Sequence, residues 1–111
     1  MWKFPRVEER YSLAAVAPVI VDVVGDGFYD RCRARDISEN GISIFVKHDF
    51  KGCDINTEIE LHINLPGPTI VKAQGLLRHL GLGQNHYFGI QIIAFRGQGK
   101  EQVLNFIRSL K

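Results

Sequence analysis

In EIELHINL, residues 58–65, the apolar side chains Ile59, Leu61, Ile63 and Leu65 occupy every second position, with Glu58, Glu60, His62 and Asn64 between them. Only an extended chain sends alternate side chains to opposite faces, so the stretch reads as a β-strand with one face in a core and the other toward solvent. The same period recurs in short segments separated by Gly, Pro, Asn and Asp. It predicts further strands near 19–24, 29–36, 42–46, 70–77 and 87–95, with LPGPT and LGLGQN as turns. Strands this short, with short connections, point to an antiparallel barrel or sandwich. Near the end the period changes: Val103, Leu104, Phe106, Ile107 and Leu110 fall at helical spacing, which predicts an amphipathic helix over 99–110 lying against the sheet. The opening MWKFPRVEER has no clean periodicity, and residues 1–12 are read as a flexible arm.

A chain of 111 residues with 45% apolar content suffices for one packed core, so residues 1–111 are expected to form a single domain. The longest apolar run, Leu13 to Ile20, contains Pro18 and is shorter than the roughly 20 residues of a membrane-spanning helix. No charged head with a cleavable apolar segment opens the sequence. The expectation is a soluble, cytoplasmic protein without membrane insertion. A formal charge of +2 is too small for wrapping a nucleic acid polymer, so an anionic partner should be small or locally bound. Cys32 and Cys53 form no CxxC pair, and His48, His62, His79 and His86 are scattered; both cysteines read as small buried hydrophobes and no metal is expected. No nucleophile–base pairing or placed carboxylate pair suggests an enzyme.

Two constellations carry chemistry. RVEER places Arg6 and Arg10 four residues apart in the arm, and DISENG places Asp36, Ser38 and Gly41 between two apolar runs. A guanidinium is a planar fork that binds phosphate or the O6/N7 edge of guanine through two hydrogen bonds and stacks on a base through its face. A carboxylate only accepts, so Asp36 could take guanine N1–H and N2–H or hold an arginine; Ser38 can donate; Gly41 would allow a sharp turn before the next strand.

RxxxR in an N-terminal arm followed by (D/N)xSxxG between strands resembles the PilZ domain, the bacterial receptor module for cyclic di-GMP. The resemblance extends to the strand pattern, to HYFGIQIIAF as a late strand and to the closing helix. It implies a six-stranded antiparallel β-barrel with a C-terminal helix, no cofactor, and cyclic di-GMP as ligand, contacted by Arg6, Arg10, Asp36, Ser38 and Gly41. The arm would fold over the nucleotide and thereby regulate a protein partner. KFPRV also fits a second register in which Arg6 is the later arginine of the motif and the earlier position falls on Trp2, leaving Lys3 as the basic residue beside it. Relatives lacking the arginines imply an alternative, a nucleotide-independent interaction adaptor. Arg31, Arg33 and Arg35 alternate outward and form either a solubilising face or an auxiliary surface, and Arg78 could reach the site from a neighbouring strand. RGQGKEQ departs from a phosphate loop at both ends and reads as a helix N-cap.

Overall fold

The computed structural model describes residues 11–13, 19–25, 27–46, 55–67, 69–81 and 87–110. Arg6 and Arg10, most of the arm, most of LGLGQN, His48, His86 and Cys53 lie outside the described residues. The strands are β1 (Tyr11–Ser12), β2 (Ile20–Gly25), β3 (Phe28–Ser38), β4 (Gly41–Phe45), β5 (Glu58–Asn64), β6 (Ile70–Gly81) and β7 (Tyr87–Phe95), followed by helix α1 (Gly99–Ser109).

All pairings are antiparallel, in the order β1-β3-β2-β5-β6-β7-β4, and β4 returns to pair with β3. The six strands β2–β7 therefore close into a barrel, which leaves no long edge unpaired. The two-residue β1 is the strand that periodicity could not reveal. It runs along the same edge of β3 as β2: Tyr11 pairs with Ile37 and Ser12 with Asp36, Leu13 N–H donates to Arg35 O, Ala34 N–H donates to Val19 O, and β2 begins with Ile20 opposite Arg33. β1 and β2 thus lie end to end along one edge of β3.

The inward faces are the alternating apolar sets. Val21, Val23, Ile37, Ile42, Ile44, Leu61, Ile63, Val71 and Leu77 are all almost completely buried, and Val103 and Ile107 bring one face of α1 onto the same core. Cys32, 4% exposed, is one of these small core residues.

RGQGKEQ does form the helix start, as expected, but without a capping side chain. Gln98 occupies the N-cap position without a side-chain cap bond, and the chain instead turns through Gly97 at φ 57°, with Gly99 N–H donating to Arg96 O. A left-handed φ is the conformation glycine adopts most readily, so the reversal into α1 rests on backbone rather than on a capping side chain.

Outside the barrel, β2, β3 and β5 carry an ionic cluster. Asp22, 8% exposed, accepts from Tyr29 Oη at 2.8 Å, from Arg31 Nε at 2.9 Å and from Asn64 Nδ2 at 3.3 Å. The Arg31 hydrogen bond, against the opposing effect of burial, holds the Asp22 carboxyl below its ordinary value of 3.8. The charged form is the stabilising one; its contribution is present above that ordinary value and is lost as pH falls through the lower folded value. Asp22→Asn is expected to cost about 1 kcal/mol at pH 7, because the exposed donors Tyr29 and Arg31 regain water. Urea titrations at pH 7 and below pH 3.8 should show the gap from wild type narrowing in acid. A gap independent of pH would remove the charge from this explanation.

A candidate ligand site on the β3–β4 hairpin

DISENG is not a break between strands. β3 continues through Ser38, which pairs with Gly41, and only Glu39 and Asn40 form the turn. Asp36 and Ser38 therefore belong to the rigid barrel wall, where strand pairing rather than a loop sets their positions.

The pairing register shifts once in this hairpin, between Ala34 opposite Ile44 and Asp36 opposite Ser43. Arg35 is the extra residue. A bulge of this kind lets two consecutive side chains face the same way: Ala34 and Ile37 are buried in the core, whereas Arg35 and Asp36 both lie on the outer surface, with side chains 42% and 16% exposed. Arg35 Nη1 stands 3.7 Å from Asp36 Oδ2, and its guanidinium lies over the Tyr87 ring, 4.1 Å from the centroid. Tyr87 Oη is 3.2 Å from His79 Nε2.

The register carries this surface across four strands. Asp36 on β3 pairs with Ser43 on β4, Ser43 with Gly89 on β7, and Gly89 with His79 on β6. On the other side of Asp36 the strand neighbour is the β1 backbone at Ser12. The result is a polar strip in which Gly89, between Ser43 and His79, carries no side chain.

Ser38 and Gly41 have a role that their residue types alone do not disclose. Ser38 is fully buried and its hydroxyl donates to Gly41 O at 3.2 Å. Gly41 opens β4, paired with both Ser38 and Gln91, and the left-handed glycines among the described residues are Gly27, Gly67 and Gly97. The sharp reversal expected of Gly41 is thus made one step earlier, by Glu39 and Asn40, and Gly41 supplies the carbonyl that locks the serine. The turn is also fastened from below: Ile92 N–H donates to Asn40 O at 2.8 Å, and Lys100 Nζ at the start of α1 lies 3.7 Å from Glu39 Oε1.

Arg78 is not brought to this group. It is the extra residue of a second bulge, between Leu77 and His79, and its Nη1 donates to Asn56 Oδ1 at 2.6 Å on the turn that enters β5. Of the three alternating arginines, Arg31 is committed to Asp22 and Arg35 to the hairpin surface. Motif reasoning misses His79 and takes Tyr87 and Gly89 only as part of a late strand; both stand at outward positions on either side of the buried Phe88, yet only the barrel register shows that they adjoin Asp36. Among the described residues, no three His, Cys, Asp or Glu side chains gather closely enough to hold a metal ion, and no helix is long and apolar enough to cross a membrane.

No protein-family model matches the sequence, and no curated protein matches it. Solved structures do match the fold. The inhibitor of motility MotI/DgrA from Bacillus subtilis aligns with 97% of this chain and 52% of its own at TM-score 0.78 and 16% identity. The PilZ domain of YcgR from Escherichia coli, solved with c-di-GMP, aligns with 95% of this chain and 90% of its own at TM-score 0.78 and 13% identity. MrkH from K. pneumonia, in complex with c-di-GMP, aligns with 97% of this chain and 52% of its own at TM-score 0.78 and 14% identity. The chain thus spans about half the length of MotI and MrkH.

Proposed function

The barrel just described is a PilZ-like domain, a closed six-stranded antiparallel β-barrel with one C-terminal helix, and from that premise we propose that the chain is a receptor for cyclic di-GMP. One observation carries the reading. Asp36 stands on the outer barrel surface beside Arg35, and β1 ties the residues directly after Arg10 to the same strand, Tyr11 opposite Ile37 and Ser12 opposite Asp36. The chain directly after Arg10 is thereby paired beside Asp36, which supports a site drawing on both motifs, on a fold whose structural neighbours include proteins solved with c-di-GMP.

In this reading Arg6 and Arg10 supply the forks for phosphate and guanine, Asp36 accepts from the base, and Ser38 and Gly41 hold the hairpin that presents Asp36. A bidentate arginine–guanine contact gives about 1–3 kcal/mol of discrimination, base stacking adds about 1–3 kcal/mol per base, and a micromolar complex requires about 8 kcal/mol. Two arginines, Asp36 and stacking reach that figure after the cost of ordering the arm ahead of β1. Closure of that arm would change the surface offered to a protein partner. The module acts by binding rather than catalysis, in the bacterial cytoplasm, in regulation of the kind indicated by neighbours such as the inhibitor of motility.

Titration of 15N-labelled protein with cyclic di-GMP should move the amide signals of 35–43 and of β1 first, and Asp36→Ala should weaken binding roughly tenfold while the unfolding midpoint stays within a few degrees. Saturable shifts confined to the Asp22 side of the barrel would place the ligand elsewhere and defeat the proposed site.

A further inference from the structure

We infer that Arg35 and Asp36 act together as a guanine reader, with Tyr87 as the platform that sets the plane of the arginine fork and His79 as the residue that positions Tyr87. The inference rests on the receptor reading above, which already gives Asp36 to the base, and adds Arg35, Tyr87 and His79 from outside the paired sequence motifs.

The bulge at Arg35 sets the geometry. Without the extra residue in β3, Arg35 and Asp36 would point to opposite faces of the strand, as neighbours in a regular strand do. With it, a donor-only group and an acceptor-only group stand side by side, Arg35 Nη1 and Asp36 Oδ2 being 3.7 Å apart. Guanine presents the complementary order along its edge, the acceptors N7 and O6 followed by the donors N1–H and N2–H. Adenine breaks that order, placing its N6 amine donor where guanine has O6 and offering N1 as an acceptor. A fixed donor–acceptor couple therefore distinguishes the two purines, provided the fork is held still.

Tyr87 supplies the restraint. A guanidinium centred 4.1 Å from an aromatic ring centroid is held in a cation–π stack, which restricts an otherwise flexible side chain to one plane. The Tyr87 hydroxyl is engaged in turn by His79 Nε2 at 3.2 Å, with the two ring centroids 5.5 Å apart. Gly89 keeps the strip between Ser43 and His79 low: a Cβ there would stand 3.0 Å from His79 Cβ, so any side chain would displace the residue that braces the platform.

The test is calorimetric titration of wild type, Arg35→Lys, Tyr87→Phe and Tyr87→Leu with cyclic di-GMP and cyclic di-AMP, each variant first shown to keep the wild-type circular dichroism. Arg35→Lys keeps the charge and loses the fork; it should weaken cyclic di-GMP binding roughly tenfold and lower the preference over cyclic di-AMP by a similar factor. Tyr87→Leu should do the same, and Tyr87→Phe, which keeps the ring but loses the hydroxyl that His79 engages, should lose less, about threefold; full wild-type affinity in Tyr87→Phe would remove His79 from the inference. Unchanged affinity and unchanged purine preference in both Arg35→Lys and Tyr87→Leu would overturn the inference and leave the receptor reading standing. A wild type that binds neither nucleotide would end both.

Discussion

Replacing Arg10 with alanine is expected to weaken cyclic di-GMP binding by roughly tens to a hundredfold, about 2–3 kcal/mol, with no comparable change in the unfolding midpoint. An arginine that meets a phosphate or a guanine edge leaves a charged ligand group unpaired when it is removed, which costs more than a neutral hydrogen bond. Arg10 directly precedes Tyr11, and Tyr11 is paired opposite Ile37, one residue from Asp36. Lysine at position 10 should recover only part of the loss, because an ammonium is a point charge without the planar fork. Arg6→Ala should act in the same direction. If Arg6→Ala alone weakens binding and Arg10→Ala does not, the register in which Arg6 is the later arginine of the motif replaces the one preferred here. Isothermal titration of the two variants beside wild type reads all of these outcomes.

The second large effect concerns the fold. Gly75 lies on the inner face of β6, where a Cβ would meet Ile90 Cγ2 at 2.5 Å, Gln91 O at 3.1 Å and Leu61 Cδ1 at 3.3 Å. Ile90 is β-branched and 3% exposed, and Leu61 is fully buried, so neither can swing away into solvent; the Gln91 carbonyl is part of the barrel wall. The sequence places glycine opposite the bulge at which β7 gains Ile93, between the pairs Gln74–Ala94 and Gly75–Ile92. Gly75→Ala should therefore cost about 2–3 kcal/mol through overpacking, against the small gain alanine would bring by reducing unfolded-chain freedom. Chemical denaturation at 25 °C checks it. A variant as stable as wild type would mean that the barrel interior can yield at this point.

Much of the barrel could be read from period alone. The segments expected at 58–65 and 87–95 coincide with β5 and β7 to within a residue, and the helix expected over 99–110 is α1 with its last residue removed. Alternation works there because one face of each strand meets a continuous apolar core. It fails where the register slips. β6 runs on to Gly81 rather than stopping near Leu77, because the bulge at Arg78 breaks the alternation that would have extended the strand. β3 runs to Ser38 rather than Asp36 because the bulge at Arg35 places two polar side chains in succession and imitates the start of a loop. β1 is two residues long and is held by pairing to β3, a contact between distant parts of the chain that no local pattern encodes.

The site follows the same division. The spacing of DISENG marks Asp36 and Ser38 as candidates, but the burial of Ser38 and its bond to the Gly41 carbonyl are consequences of hairpin geometry. The meeting of Arg35 with Tyr87 joins residues 52 positions apart in the sequence. That meeting depends on β4 lying between β3 and β7, which is information about closure of the barrel rather than about any one strand.

Isothermal titration of the purified chain with cyclic di-GMP, with GTP and cyclic di-AMP as controls, tests the central claim most directly. Saturable binding of cyclic di-GMP in the micromolar range or tighter, with weaker or absent binding of both controls, is the result expected of a guanine-reading receptor, and the same isotherm gives the stoichiometry. A folded protein that takes up no cyclic di-GMP at high micromolar concentration would contradict the receptor assignment.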